Sequence, residues 1–132
     1  MMKYVKMCLI GLVAITAIGS TNVQASTFGR TATGGYQIFE EGAVQGIVPF
    51  TTTTIQSGTQ TGQWQSLLTG IPGTGRVESN VQNTSGGQGR ASVTNGAGEF
   101  DDGGWRPSPQ WSRASARRTI TGTNRTNWDL RA

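Results

Sequence analysis

Between Tyr36 and Thr94 the chain reads as short runs bounded by turn-forming residues: YQIFE at 36–40, VQGIVPFTTTTIQ at 44–56, QWQSLLT at 63–69, RVESNVQN at 76–83 and RASVT at 90–94. They are short strand-like runs of the length expected for β-strands. No window carries the 3.6-residue apolar stripe of a helix. Threonine favours strands, and abundant glycine and proline interrupt helices. Within FTTTTI, alternation sends Phe50, Thr52 and Thr54 to one face and Thr51, Thr53 and Ile55 to the other, and Pro49 points to an edge or a bulge. Asn95-Gly96 is the preferred two-residue type I′ turn. It would set Thr94 opposite Ala97, Ser92 opposite Glu99, Ala91 opposite Phe100 and Arg90 opposite Asp101. GIPGTG at 70–75 and GGQG at 86–89 read as loops. The expected fold is all-β, a small antiparallel β-sandwich or barrel forming a single domain over 36–132.

The first 25 residues have a different character. Lys3 and Lys6 precede an apolar run from Cys8 to Ile18, and Val23-Gln24-Ala25 supplies small residues for processing. This is the pattern of a secretory signal peptide cleaved near Ala25-Ser26. The apolar run is too short to span a bilayer, which takes about 20 residues, so the chain is not expected to be transmembrane. The expected location is extracellular, and residues 26–35 are expected to be a flexible start of the mature chain. The only cysteine, all three methionines and both lysines lie within 1–25, and the protein has no histidine.

Those absences narrow the chemistry. Without His, or Cys in the mature chain, the usual nucleophile–base pairs and Cys/His zinc sites are missing. The glycine-rich segments lack the Lys and Ser/Thr of a phosphate loop. Glu40-Glu41 and the group Glu99, Asp101 and Asp102 are the carboxylate clusters left for a glycosidase-like pair or weak calcium ligation. The expectation is a non-enzymatic protein with no cofactor.

Charge then directs attention to the C-terminus. Residues 26–104 hold three arginines against six acids, whereas residues 105–132 hold six arginines against Asp129 alone. In GWRPSPQWSRASARR, Trp105 and Trp111 stand among Arg106, Arg113, Arg117 and Arg118. Arginine binds phosphates and carboxylates in a bidentate manner and stacks on rings. For an exported chain the relevant anions are a lipid-linked cell-wall precursor, teichoic acid or a membrane surface, not nucleic acid. These six residues are the candidate contacts. Two readings stand beside this one: the tryptophans as core, and the basic segment paired internally with EFDD at 99–102. The expectation for the block is that its tryptophans mainly hold the fold while exposed arginines make the contact.

Gly103-Gly104-Trp105, Trp111-Ser112-Arg113-Ala114-Ser115-Ala116 and, more loosely, Gly62-Gln63-Trp64 carry a resemblance. Following a signal peptide in a Gly/Thr/Asn-rich chain, they resemble the lactococcin-type secreted bacteriocins over about residues 60–128. The resemblance implies a small β-sandwich that kills related Gram-positive cells by binding a lipid-linked cell-wall precursor and blocking septum formation. The chain departs from the family in its segment 26–59, its lack of histidine and its ending NWDLRA. No family binding residue maps onto it. The expected function is therefore binding of a cell-envelope component, with bacteriocin action as one form. The alternative is a structural or adhesive extracellular protein, suggested by TTTTIQ and TQTGQWQ.

Overall fold

The computed structural model describes residues 26–42 and 51–132. The expected signal sequence with its expected cleavage point, and Pro49, lie outside the described residues. Among the described residues ten strands follow one another: β1 (Ser26–Arg30), β2 (Gly34–Glu40), β3 (Thr52–Ser57), β4 (Gln60–Thr69), β5 (Arg76–Asn83), β6 (Gln88–Thr94), β7 (Phe100–Asp102), β8 (Arg106–Pro107), β9 (Trp111–Arg117) and β10 (Thr123–Arg131). All pairings are antiparallel. One sheet has the order β1-β2-β10-β6-β7, with β8 also pairing with β6, and the other has the order β3-β4-β5-β9. The two pack face to face as a β-sandwich.

Alternation decides what each strand buries. In β5, Val77, Ser79, Val81 and Asn83 are buried while Arg76 and Gln82 reach the surface. In β10, Asn124, Thr126, Trp128 and Leu130 are buried, and Arg125, Asn127, Asp129 and Arg131 stand on the other face. The core contains Phe39, Trp64, Leu68, Val77, Val81, Val93, Trp128 and Leu130. Trp64 and Trp128 come from opposite sheets and meet with ring centroids 6.3 Å apart. Gly35 makes room for this pair, since a Cβ there would stand 2.6 Å from Trp128 Nε1.

The core is also polar. Trp64 Nε1 donates to Ser79 Oγ at 2.9 Å, and Ser79 Oγ donates to the Asn127 carbonyl of the facing sheet at 2.7 Å. Ser66 Oγ donates to Gln37 Oε1 at 2.8 Å and lies 2.6 Å from Thr126 Oγ1. Ser112 Oγ accepts from Ala91 N and donates to Gly104 O. Such bonds satisfy groups that would otherwise cost about 1–3 kcal/mol each when buried, and they tie one sheet to the other at set points.

Three expectations need correction. Ser26–Arg30 is not a loose lead-in: it pairs along its length with β2, and Phe28 sets its ring edge-on to Trp64 at 6.4 Å. The hairpin after β6 exists, but in another register. Thr94 faces Phe100 and Ser92 faces Asp102. Asn95 Oδ1 accepts from Ala97 N at 3.0 Å and Glu99 N at 2.9 Å, so Asn95 opens the turn rather than occupying its first central position. Gly98, at φ 82°, supplies the left-handed residue that closes a three-residue loop. Arg90 consequently pairs with Asp102 instead of Asp101.

Arg118, expected on the surface, is completely buried. Its Nε donates to Glu41 Oε2 at 2.8 Å and its Nη1 to Gly70 O at 3.1 Å. Asn124 Nδ2 donates to the same Glu41 oxygen at 2.6 Å. The alternation of β9 runs on past its end, placing Arg118 on the inner side with Ala114 and Ala116, and a guanidinium there requires a carboxylate partner. Among the described residues, Glu41 Oε1 and Arg118 Nη2 are buried without a hydrogen-bond partner. The pair is thus held on one side only.

Breaking a buried pair at one end strands the other charge. Glu41→Gln should therefore lower unfolding stability by about 3–5 kcal/mol, a large share of the roughly 5–15 kcal/mol typical of a domain. Urea denaturation of Glu41→Gln, Arg118→Met and the double variant should show a double loss well below the sum of the singles. Additive losses would mean that the two groups do not stabilise one another.

Candidate functional site

The residues named from the sequence as contacts do not converge. Arg118 is interior. Trp111 and Arg113 share the outer face of the β3-β4-β5-β9 sheet, with the guanidinium 5.4 Å from the ring centroid. Arg117, at the end of the same strand, stands opposite Arg76. Arg106 is exposed on β8 and donates through Nε to Gly103 O at 3.0 Å. Trp105 lies beneath Arg131, 4.0 Å from ring centroid to guanidinium. The connection 107–110 is a tight turn, with Gln110 N donating to Pro107 O at 2.8 Å and Gln82 Nε2 to Pro109 O at 2.8 Å. This turn sends Trp105 and Trp111 to different sheets, and both are only half-buried. The tryptophans in the core are Trp64 and Trp128, so the expectation that Trp105 and Trp111 mainly hold the fold is not met.

A better-formed site lies on the outer face of the other sheet. Registry across four strands places Ile38, Arg125, Thr94 and Phe100 in one row, and Tyr36, Asn127, Ser92 and Asp102 in the next. Asp129 opposite Arg90, and Arg131 opposite Gln88, continue the face toward Trp105. The small Ser92 and Asn127 form a floor between taller neighbours. The result is an open groove of about 720 Å³, closed at one end by the Thr31–Thr33 turn.

The side chains of this face are held in place by their neighbours. Arg125 lies 4.1 Å from the Tyr36 ring centroid and donates through Nε to Asn127 Oδ1 at 2.7 Å. Arg131 stacks on Trp105 and donates through Nε to Gln88 Oε1 at 2.7 Å. Thr33 Oγ1 donates to Asp129 Oδ1 at 2.9 Å. Arg90 Nε donates to Asp102 Oδ1 at 3.0 Å, and its Nη2 bonds Oδ2. The Arg90 hydrogen bonds hold the Asp102 carboxyl below the usual carboxylate range, overcoming desolvation, with help from the Gly104 N–H and the Arg90 charge. The same pairing raises Arg90 above its ordinary value. Among the described residues, the terminal guanidinium nitrogens of Arg125 and Arg131 have no hydrogen-bond partner. They offer donors to an anion or to hydroxyl groups.

The carboxylates considered for catalysis are engaged elsewhere. Glu41 is buried on Arg118, Glu40 Oε1 accepts from Thr123 Oγ1, Asp102 holds Arg90, Asp101 Oδ2 accepts from Ser115 N and Glu99 Oε1 accepts from Asn95 Nδ2. Among the described residues no group of three acids could hold a metal ion, and no helix is long and apolar enough to cross a membrane.

Comparisons add no relative: no protein-family model, no curated protein and no solved structure matches the chain. Three groove residues, Arg125, Asn127 and Asp129, and Arg131 farther along the same face were nonetheless signalled in TNRTNWDLR, whose alternation sets them on one side. The charge count across 105–132 obscured this, because it pooled residues that end on different surfaces.

Two outcomes follow. Trp128→Ala should cost about 3–5 kcal/mol, whereas Trp111→Ala, at a half-buried position outside the core, should cost about 1–2 kcal/mol; thermal and urea unfolding measure both. The Asp102 carboxyl is depressed on folding, so its contribution is full above the ordinary carboxylate value of about 3.9 and is lost as pH falls through its lower folded value. Asp102→Asn should thus remove part of the acid sensitivity of stability below about pH 4, with a cost near neutral pH of at most about 1 kcal/mol for so exposed a pair.

Proposed function

We propose that this chain is an exported, non-enzymatic protein that binds an anionic, hydroxyl-rich component of a cell envelope through the groove on the β1-β2-β10-β6-β7 sheet. The observation that carries this reading is the line of Arg90, Arg125 and Arg131 along one exposed face, each guanidinium braced by a fixed neighbour. Bracing removes part of the side-chain entropy that binding would otherwise cost. Arginine forks match phosphate or carboxylate groups. Asn127, Asp129 and Ser92 add hydrogen-bonding groups for hydroxyls, while Ile38 and exposed Phe100 offer apolar contact. Teichoic-acid-like polymers and the sugar–pyrophosphate part of a cell-wall precursor have this mixed chemistry. Bacteriocin action, which the lactococcin-type resemblance implies, is one form of the same function.

The joint change Arg125→Gln with Arg131→Gln should lower retention on isolated Gram-positive cell-wall material by tenfold or more, at roughly 1.5–3 kcal/mol for each hydrogen bond to a charged group. Retention of the parent should fall with added salt, since exposed charges are screened within about 8–10 Å at physiological strength. Unaltered retention by a variant that melts like the parent would dismiss the groove. If the protein is a toxin, clearing of a susceptible lawn should decline in parallel.

One observation favours an adhesive or assembly role instead. β3 is an edge strand with Thr52, Thr53 and Thr54 all exposed, and Arg30 Nη2 covers one of its carbonyls, that of Gln56. Exposed edges pair with neighbouring chains. Light scattering over a wide concentration range distinguishes the readings: a strict monomer removes the assembly role.

A further inference from the structure

A different surface, at one end of the sandwich, carries an inference beyond the groove. The turn between β4 and β5 presents Ile71 at 65% exposure, and the connection between β9 and β10 presents Ile120 at 71%. These are the two most exposed large apolar side chains among the described residues. They are not scattered. Gly73 N donates to Arg118 O and Arg118 N donates to Gly75 O, both at 2.8 Å. A Cβ on Gly73 would stand 2.9 Å from Ile120 Cγ1, so the Ile120 side chain rests on the turn that carries Ile71.

The buried ion pair gives this tip its rigidity. Arg118 binds Gly70 O through Nη1 and is anchored on Glu41 through Nε. One interior guanidinium therefore fixes both apolar loops to the body of the fold. Just behind the tip, Arg76 and Arg117 face each other across β5 and β9. Arg117 and Ile120 line the same cleft of about 270 Å³, together with Gly96 and Ala97. No acidic residue occurs within 70–77 or 111–123; Glu78, two residues farther from the tip along β5, stands opposite Ser115 behind the two arginines. Glu99, the acid of the neighbouring loop, is engaged by Asn95.

We infer that this end of the molecule docks on an anionic lipid bilayer, with Ile71 and Ile120 entering the headgroup boundary and Arg76 and Arg117 meeting lipid phosphates. Exposed apolar side chains rimmed by polar ones mark interaction sites, and a pair of basic residues selects a negatively charged surface. The same charge opposes a second copy of this tip as the partner, because like charges would meet. The docking surface is separate from the glycan-contacting groove, so either can be absent without the other. A protein carrying both would hold its ligand close to the membrane.

The test uses the full chain with Cys8→Ser and one new cysteine carrying an environment-sensitive fluorophore, at Ile71, at Ile120, or at Thr59 in the β3–β4 turn of the opposite end. Residues 1–25 are common to all three, so the positional difference reads the tip. With vesicles of mixed phosphatidylcholine and phosphatidylglycerol, emission at positions 71 and 120 should shift to the blue and strengthen, and emission at 59 should not. Pure phosphatidylcholine should give a weaker response, and salt should reverse it. Arg76→Gln and Arg117→Gln should each weaken vesicle partitioning by about fivefold, and Ile120→Ser by about tenfold or more. Equal responses at 59 and 120, or none at 71 and 120, would overturn the proposal. So would a blue shift at the tip that needs only higher protein concentration, which would identify a second copy as the occupant. Because the vesicles contain no cell-wall polymer, failure here leaves the groove reading intact.

Discussion

The meeting of Trp64 and Trp128 between the two sheets is the constraint on which the remaining structure depends. Aromatic burial of this kind is the largest single contribution available to a small core without disulfides. The contact demands a glycine at 35, a strand at β10 that alternates without a slip, and a partner for the Trp64 indole N–H, which Ser79 supplies. Ser79 then bonds the Asn127 carbonyl, so the packing of the two rings also positions β10 lengthwise. A one-residue slip of β10 would move Trp128 to the surface and Arg125, Asn127 and Asp129 into the core. The order of the outer groove thus follows from the order of the inner contact.

The buried polar groups have a related consequence. Apolar residues alone would let two flat faces slide, since hydrophobic contact is non-directional. Ser66, Ser79, Ser112 and Thr126 make directional bonds at the sheet interface or close to it. The Glu41–Arg118 pair does the same at one end, where loops rather than strands must be kept together. Both surfaces for which a binding role is proposed rest on these interior bonds. The groove arginines stand on strands kept in register from beneath, and the apolar tip is mounted on Arg118 itself.

The arginines illustrate how one residue type divides into roles through position. Arg118 is interior and structural. Arg90, Arg125 and Arg131 share the groove face, Arg113 lies over Trp111 on the opposite sheet, and Arg76 and Arg117 flank the apolar tip. Net charge in a chain segment therefore describes no single surface. In a sandwich, successive residues of one strand point to opposite sides, and successive strands can enter different sheets.

The sequence by itself determined the fold class and several elements, because these depend on local period and turn chemistry. RVESNVQN is β5 over the residues read as a strand-like run, whereas in FTTTTI only Ile55 is buried and Thr51 and Thr53, expected on its face, are exposed with Thr52 and Thr54. It also determined the absence of histidine from any site. Three matters were decided only by tertiary structure. The register of the hairpin depended on Asn95 using its side chain to open the turn, a choice between two turns that the same Asn-Gly allows. The interior place of Arg118 depended on Glu41, distant in the chain, being folded against it. The groove depended on the last strand, β10, inserting between β2 and β6. Alternation states which residues share a face of a strand, but not which strand lies beside it; that is settled by long-range pairing, whose partners leave no local trace in either segment.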